Sequence, residues 1–275
     1  MKKRPILKYI LAGGLVAIIV ICVVLASRHS VGTVITSNSS KSNSAGKSTP
    51  SAELSSPNPT QVNAFNKNKY SINEANSLWV VVNKGRVLPS SYTPEVLIVP
   101  KIPLRLSSSS AEMHLQSDAA AALDVMSEAA KNQGINLMLA SGYRSYANQV
   151  STYNGFVKQS GINAADTYSA RPGHSEHQTG LAADLEPASR KCELQDCFAD
   201  TPEGKWLAEN SYKYGFIIRY PKDKQNVTGY IYEPWHVRFI GSELSNEVTK
   251  SGLTLEQFFG LPSYTSYPAE PYQLQ

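Results

Sequence analysis

Ser175-Glu176-His177-Gln178-Thr179-Gly180-Leu181-Ala182-Ala183-Asp184 passes within a few residues from a polar bend into an apolar run. Leu181 to Leu185 reads as a buried strand, and Gly180 allows a sharp backbone excursion just before it. A carboxylate at Asp184, inside an otherwise apolar strand, must be paired or metal-bound to be tolerated there.

Elements of both kinds extend outward from this strand. Upstream, Ser117 or Asp118 is expected to cap a helix running to about Gln133, with Leu123, Met126 and Ala130 on one face and Gly134 as its stop. Ile135 to Ala140 alternates like a half-buried strand and delivers Ser141-Gly142-Tyr143-Arg144-Ser145 at its end. A second helix follows from about Tyr146 to Gln159, closed by Gly161, and then a long loop through Asn163 and Arg171-Pro172-Gly173. Downstream, Thr201-Pro202-Glu203 opens a third helix that places Trp206, Leu207 and Tyr214 inward and ends at Gly215. Phe216 to Tyr220 and Tyr230 to Phe239 read as strands, and two short helices close the domain by about Pro262. Before all of these, Trp79 to Asn83 reads as a short strand, and Pro89, Pro94, Pro100 and Pro103 punctuate an extended wrap. Strands and helices do not alternate regularly, so the fold class is α+β: one domain over 66–262 with a small, mostly antiparallel sheet flanked by helices.

The chain has 275 residues, 41% of them hydrophobic, which supports a real core. Its formal charge of +4 lies partly in the first eight residues, and no later Lys/Arg run has nucleic-acid-binding density. Residues 1–8 read as a cytoplasmic N-terminus and 9–26 as a transmembrane anchor, with a cleaved signal peptide as the rival reading. Residues 27–65, rich in Ser and Asn, read as a disordered stalk, and 263–275 as a flexible tail. Of three cysteines, Cys22 lies in the apolar run, while Cys192 and Cys197 form either a small disulfide loop or two unpaired thiols.

The chemistry lies in the company these residues keep. His177 and Asp184 are answered downstream by Glu233-Pro234-Trp235-His236. Two histidines and an aspartate supply three ligands of N, N and O type, the donor set of a catalytic zinc with an open position, and Glu233 remains free to act as a base. His174, three residues before His177, is the rival ligand, but its place in a loop after Gly173 favours a surface or pocket-rim residue. Arg171 either meets a substrate carboxylate or pairs with a local acid.

Three motifs, Ser-Gly-Tyr-Arg-Ser at 141–145, Ser-x-His-x-x-Gly-x-Ala-x-Asp at 175–184 and Glu-Pro-Trp-His at 233–236, together resemble the signatures of the VanY-type D-alanyl-D-alanine carboxypeptidases. The resemblance covers about Asn73 to Gly260. It implies one zinc per chain held by His177, Asp184 and His236, with Glu233 as general base and Arg144 steadying the oxyanion. Gln149 and Ser175 match family positions that line the substrate pocket, and Tyr220 and Trp235 are further pocket candidates. The activity implied is hydrolysis of the terminal D-alanine from peptidoglycan stem peptides. An L,D-carboxypeptidase acting on tetrapeptide stems and a non-catalytic wall-binding module are the alternatives. The protein is then expected at the cell membrane, single-pass and monomeric, with its catalytic domain facing the wall. A serine nucleophile is disfavoured, because the Ser-x-x-Lys spacing at Ser44 to Lys47 falls in the expected stalk.

Overall fold

A computed structural model describes residues 65–275. The expected anchor over 9–26 and the stalk up to residue 64 lie outside the described residues. Among the described residues, no helix is long and apolar enough to cross a membrane.

In chain order the elements are β1 (Arg86–Val87), β2 (Leu97–Ile98), β3 (Leu115–Gln116), α1 (Ser117–Lys131), β4 (Leu137–Ser141), α2 (Tyr146–Ser160), α3 (Ile162–Tyr168), β5 (Ala182–Pro187), α4 (Pro202–Asn210), β6 (Phe216–Tyr220), α5 (Gln225–Thr228), β7 (Glu233–Phe239), α6 (Ser242–Ser251), α7 (Leu255–Phe259) and β8 (Tyr272–Gln273). The central sheet has four strands in the order β4-β5-β7-β6, every neighbouring pair antiparallel. Its β5 strand is buried along its whole length, and Leu181, Ala183 and Leu185 pack into one core with Leu123 and Met126 of α1 and Trp206 and Leu207 of α4. The α+β expectation therefore matches the architecture.

Several local expectations differ from the structure. Trp79 to Asn83 is buried but is not a strand; only Asn83 forms an isolated bridge, to Arg86. Its carbonyls are taken by side chains instead: Arg238 Nη2 donates to Val80 O at 2.8 Å and Arg86 Nε to Val81 O at 2.8 Å. Backbone acceptors so satisfied need no neighbouring strand. Ser117 is the first residue of α1 rather than its cap; Gln116 caps it without a side-chain bond, its amide donating to Thr179 O at 2.7 Å. The expected loop after α2 contains α3, because Gly161, at φ 82°, ends one helix and begins the next. The strand expected from Tyr230 begins only at Glu233. Phe65, placed at the end of the stalk by sequence, stacks on Trp79 with ring centroids 5.6 Å apart.

The expected flexible tail over 263–275 is packed. β8 pairs in parallel with β1, and Leu274 is buried, its N–H donating to Val87 O at 3.0 Å. Tyr267 stacks edge-on against His174 at 4.9 Å. The reason is compositional: the tyrosines that made the tail look loose supply large rings that cover the Arg86, Arg171 and Lys84 side chains. Deleting 263–275 should lower the thermal midpoint, and Leu274→Ala alone should cost about 2–5 kcal/mol in denaturant unfolding; an unchanged midpoint for the deletion would show that the segment does not stabilise the domain.

Candidate metal centre and cleft

Strand pairing does most of the assembly. Asp184 on β5 sits directly opposite His236 on β7 and opposite Ser141 on β4. His177 enters from a single 3₁₀ turn, Glu176–Thr179, that ends on Gly180 in the left-handed region at φ 68°. A side chain at 180 would be strained there and would press on Gln116 and Leu97. His177, Asp184 and His236 each offer one ligand atom, all within 4.8 Å of one another, and all three residues are buried.

Glu233 lies three residues before His236, a spacing that strict strand alternation would send to the opposite face. The pairing of β6 with β7 is irregular here: Ile218 faces Val237 and Tyr220 faces Glu233, so β7 carries two more residues than β6 over the same stretch and regular alternation does not hold through it. Pro234 lies in that surplus and has no N–H to leave unpaired. Glu233 thereby lines the same cleft as His236, with Oε2 3.8 Å from its Nδ1. A smaller irregularity on β4, between Leu139 and Ser141, precedes the turn into Arg144.

The ring orientations are set from behind. His177 Nδ1 donates to Gly142 O at 2.6 Å, since a carbonyl can only accept, and Nε2 keeps its lone pair 3.2 Å from Asp184 Oδ2. Asp184 Oδ1 lies 3.1 Å from His236 Nδ1 and forms no hydrogen bond. Tyr220 stacks on His236 with centroids 5.0 Å apart. Arg144 is held at both Nη atoms, by Gln149 Oε1 at 3.1 Å and Ser141 Oγ at 2.8 Å, and its backbone N–H donates to His177 O at 3.1 Å. Gln149 also donates to Ala170 O at 2.7 Å, so its amide orients Arg144.

The cleft in front of this cluster has a volume of about 650 Å³, and every site residue expected from sequence lines it: Arg144, Gln149, Ser175, Tyr220 and Trp235 beside the three clustered residues and Glu233. His174 is not among the clustered residues. It is buried, not at the surface, and its Nδ1 donates to Asn83 O at 2.8 Å. Arg171 pairs with Asp166 at 2.7 Å. One feature resolves an alternative left open by sequence, and a second was not anticipated. Cys192 and Cys197 are disulfide-bonded, and the loop they close contributes Leu194, Gln195 and Asp196 to the cleft wall. Glu176, inside the quoted motif, is fully buried behind the cluster between Arg219 and Arg238. The sequence signal for it was the appearance of two arginines in strands that otherwise read as apolar.

Burial raises Glu233 to about 8, with the Asp184 charge adding to the effect and His236 opposing it. For His236, burial opposes the charged ring, but the Asp184 and Glu176 carboxylates outweigh it and raise the ring to about 9. Burial also works against ionisation of Asp184 and Glu176. Asp184 is nevertheless held low by the two histidines, and Glu176 by its two arginines.

A buried two-histidine, one-aspartate cluster at the floor of a cleft, with an uncommitted glutamate beside it, is the arrangement of a hydrolase. The sequence model of the VanY family, described as D-alanyl-D-alanine carboxypeptidase, matches residues 112–242. YodJ of Bacillus subtilis, whose name assigns it provisionally to the carboxypeptidases, is 41% identical over 188 residues, 68% of this chain and 69% of YodJ. The solved LdcB LD-carboxypeptidase superposes with a TM-score of 0.65 at 38% identity, over 73% of this chain and 89% of that one. A VanY D,D-pentapeptidase mutant in complex with Zn(II), from a VanB-type resistance cassette, gives a TM-score of 0.55 at 32% identity, over 68% and 99% of the two chains. The chain belongs to the VanY family and is a carboxypeptidase, hence a hydrolase.

The shifts fix how this cluster contributes to the stability of the metal-free chain. His236 and Glu233 are raised, so their contributions are whole below about 6.5 and 4.5 and are lost as pH rises through about 9 and 8. Asp184 and Glu176 are depressed, so theirs are present above about 3.8 and 4.5 and are lost only in stronger acid. Thermal melts in chelator should show stability declining from near pH 4.5 toward pH 9, and Glu233→Gln should flatten the decline between 4.5 and 8; superimposable profiles would contradict the assignment.

Proposed function

We propose that this protein is a zinc-dependent D-alanyl-D-alanine carboxypeptidase that removes the terminal D-alanine from peptidoglycan stem peptides. The observation that carries the reading is the row formed by Asp184 and His236 across β5 and β7, completed by His177 and flanked on the same cleft by Glu233 and Arg144. The donor set fits zinc: two imidazoles, each with one ring nitrogen turned away from the cluster, and a carboxylate with an oxygen lacking any hydrogen bond. Zinc held by His177, Asp184 and His236 would supply Lewis acidity toward water and toward the peptide carbonyl.

The chain's own groups account for the proton and charge movements. Glu233 takes a proton from the attacking water and delivers it to the departing amine, so one carboxylate serves as base and then as acid. Its raised pKa suits the second role, and a divalent cation nearby would draw it down for the first. Arg144, fixed at both Nη atoms, meets the negative charge that develops on the carbonyl oxygen. Ser175, Tyr220 and Trp235 shape the pocket for the stem-peptide end.

An L,D-carboxypeptidase reading has its own support in the likeness to LdcB, which is named for that activity. The disulfide suits an oxidising compartment, and the apolar run over 9–26 suits a single-pass membrane protein with its catalytic domain facing the wall, which we propose acts as a monomer. Incubating the full chain with pentapeptide and with tetrapeptide stems, with and without chelator, separates the two activities; D-alanine release from pentapeptide that chelator abolishes is expected, and release that persists in chelator would refute the zinc reading. Glu233→Gln should lower kcat by about 10²–10⁴-fold while zinc content is retained, and Arg144→Ala should lower it by about 10²–10³-fold. Near-parental turnover in either variant would remove that residue from the reaction.

A further inference from the structure

Glu176 is the one carboxylate in the quoted motif that is not among the three clustered residues, yet two buried arginines converge on it. Arg219 Nε and Arg238 Nη1 both donate to its Oε1, each at 2.8 Å. Arg219 is clamped on its far side by Glu256, with Nη1 3.0 Å from Oε2 and Nη2 2.6 Å from Oε1. Arg238 is in turn fixed by Val80 O at 2.8 Å. All four side chains are closed to solvent, two positive and two negative, so the group is neutral as a whole. Burying it carries a desolvation cost that apolar packing would avoid, so stability alone is a weak account of it.

The geometry supplies one. With Oε1 taken by two arginines, Oε2 is the free end, and it lies 3.6 Å from Nε2 of His236. Both atoms are buried, and neither has a hydrogen-bond partner among the described residues. The separation is a few tenths of an ångström beyond hydrogen-bond range, a gap that a small rotation of the ring closes. Metal-ligating histidines commonly donate their second N–H to a carboxylate, which fixes tautomer and ring orientation. His177 already has such a partner in Gly142 O. We infer that Glu176 is the positioning residue for His236: clamped by Arg219 and Arg238, it accepts the Nε2–H and so commits Nδ1 to the metal.

This inference rests on the zinc reading above and is tested on the full chain. Glu176→Gln removes the acceptor charge but strands a buried positive charge, so Glu176→Gln/Arg219→Gln is paired with it to restore neutrality. Zinc affinity is read by chelator competition, and ligand geometry by the visible absorption of the cobalt(II)-substituted protein. Both variants should bind zinc about 10–100-fold more weakly than the parent, with an altered cobalt spectrum and a lower kcat at little-changed KM. If Glu176 serves charge balance alone, the double variant recovers parental affinity and spectrum, which would overturn the proposal. Independently of whether either variant folds, ¹⁵N-histidine NMR of the zinc-loaded parent should show His236 protonated at Nε2 and metallated at Nδ1. The reverse pattern would overturn it too. A parent that binds no zinc would overturn the metal reading itself, and this one with it.

Discussion

The antiparallel pairing of β5 with β7 is the constraint on which the rest of the site depends. It places an aspartate and a histidine, far apart in sequence, opposite each other with no reliance on loop geometry. Groups carried on paired strands are held more tightly than groups on loops. His177 and Arg144 are brought up to this row by two hydrogen bonds, Arg144 N–H to His177 O and the His177 ring to Gly142 O, which tie the segment after β4 to the turn before β5.

A second theme is how much buried charge the domain tolerates on one side of that sheet. Glu176, Arg219, Arg238 and Glu256 lie behind the cluster, and Asp184, His177 and His236 lie in it, all with side chains nearly or wholly closed to solvent. Each ionised group is offset by an opposite charge within hydrogen-bond or ion-pair distance, which is the condition under which buried charges persist. Arg238 also serves the polypeptide directly, satisfying carbonyls of the N-terminal wrap that would otherwise be unpaired in the core.

The parts of this arrangement that were legible in the sequence are those with a local signal. β5 could be read from Leu181 to Leu185, the start of α4 from Thr201-Pro202, and the cluster from His177, Asp184 and His236 together, whereas the expected stop at Gly215 closes a separate 3₁₀ turn, Ser211–Tyr214, that follows the end of α4 at Asn210. Illegible were features decided by distant partners. Trp79 to Asn83 has strand-like residues, but the guanidinium groups that take its carbonyls come from 86 and 238. The segment 263–275 has a loop-like composition, and what orders it is an edge offered by Arg86–Val87. Glu176 was hidden because a charged residue in a turn reads as solvated until two arginines are found folded over it.

The surplus of two residues on β7 acts as a fixed spacer. Because regular alternation breaks within it, Glu233 and His236 line one cleft at a three-residue spacing that a regular strand would split between its two faces. A stretch of irregular backbone inside a paired strand thus does what a loop would otherwise have to do, and does it while the ladder holds both of its ends.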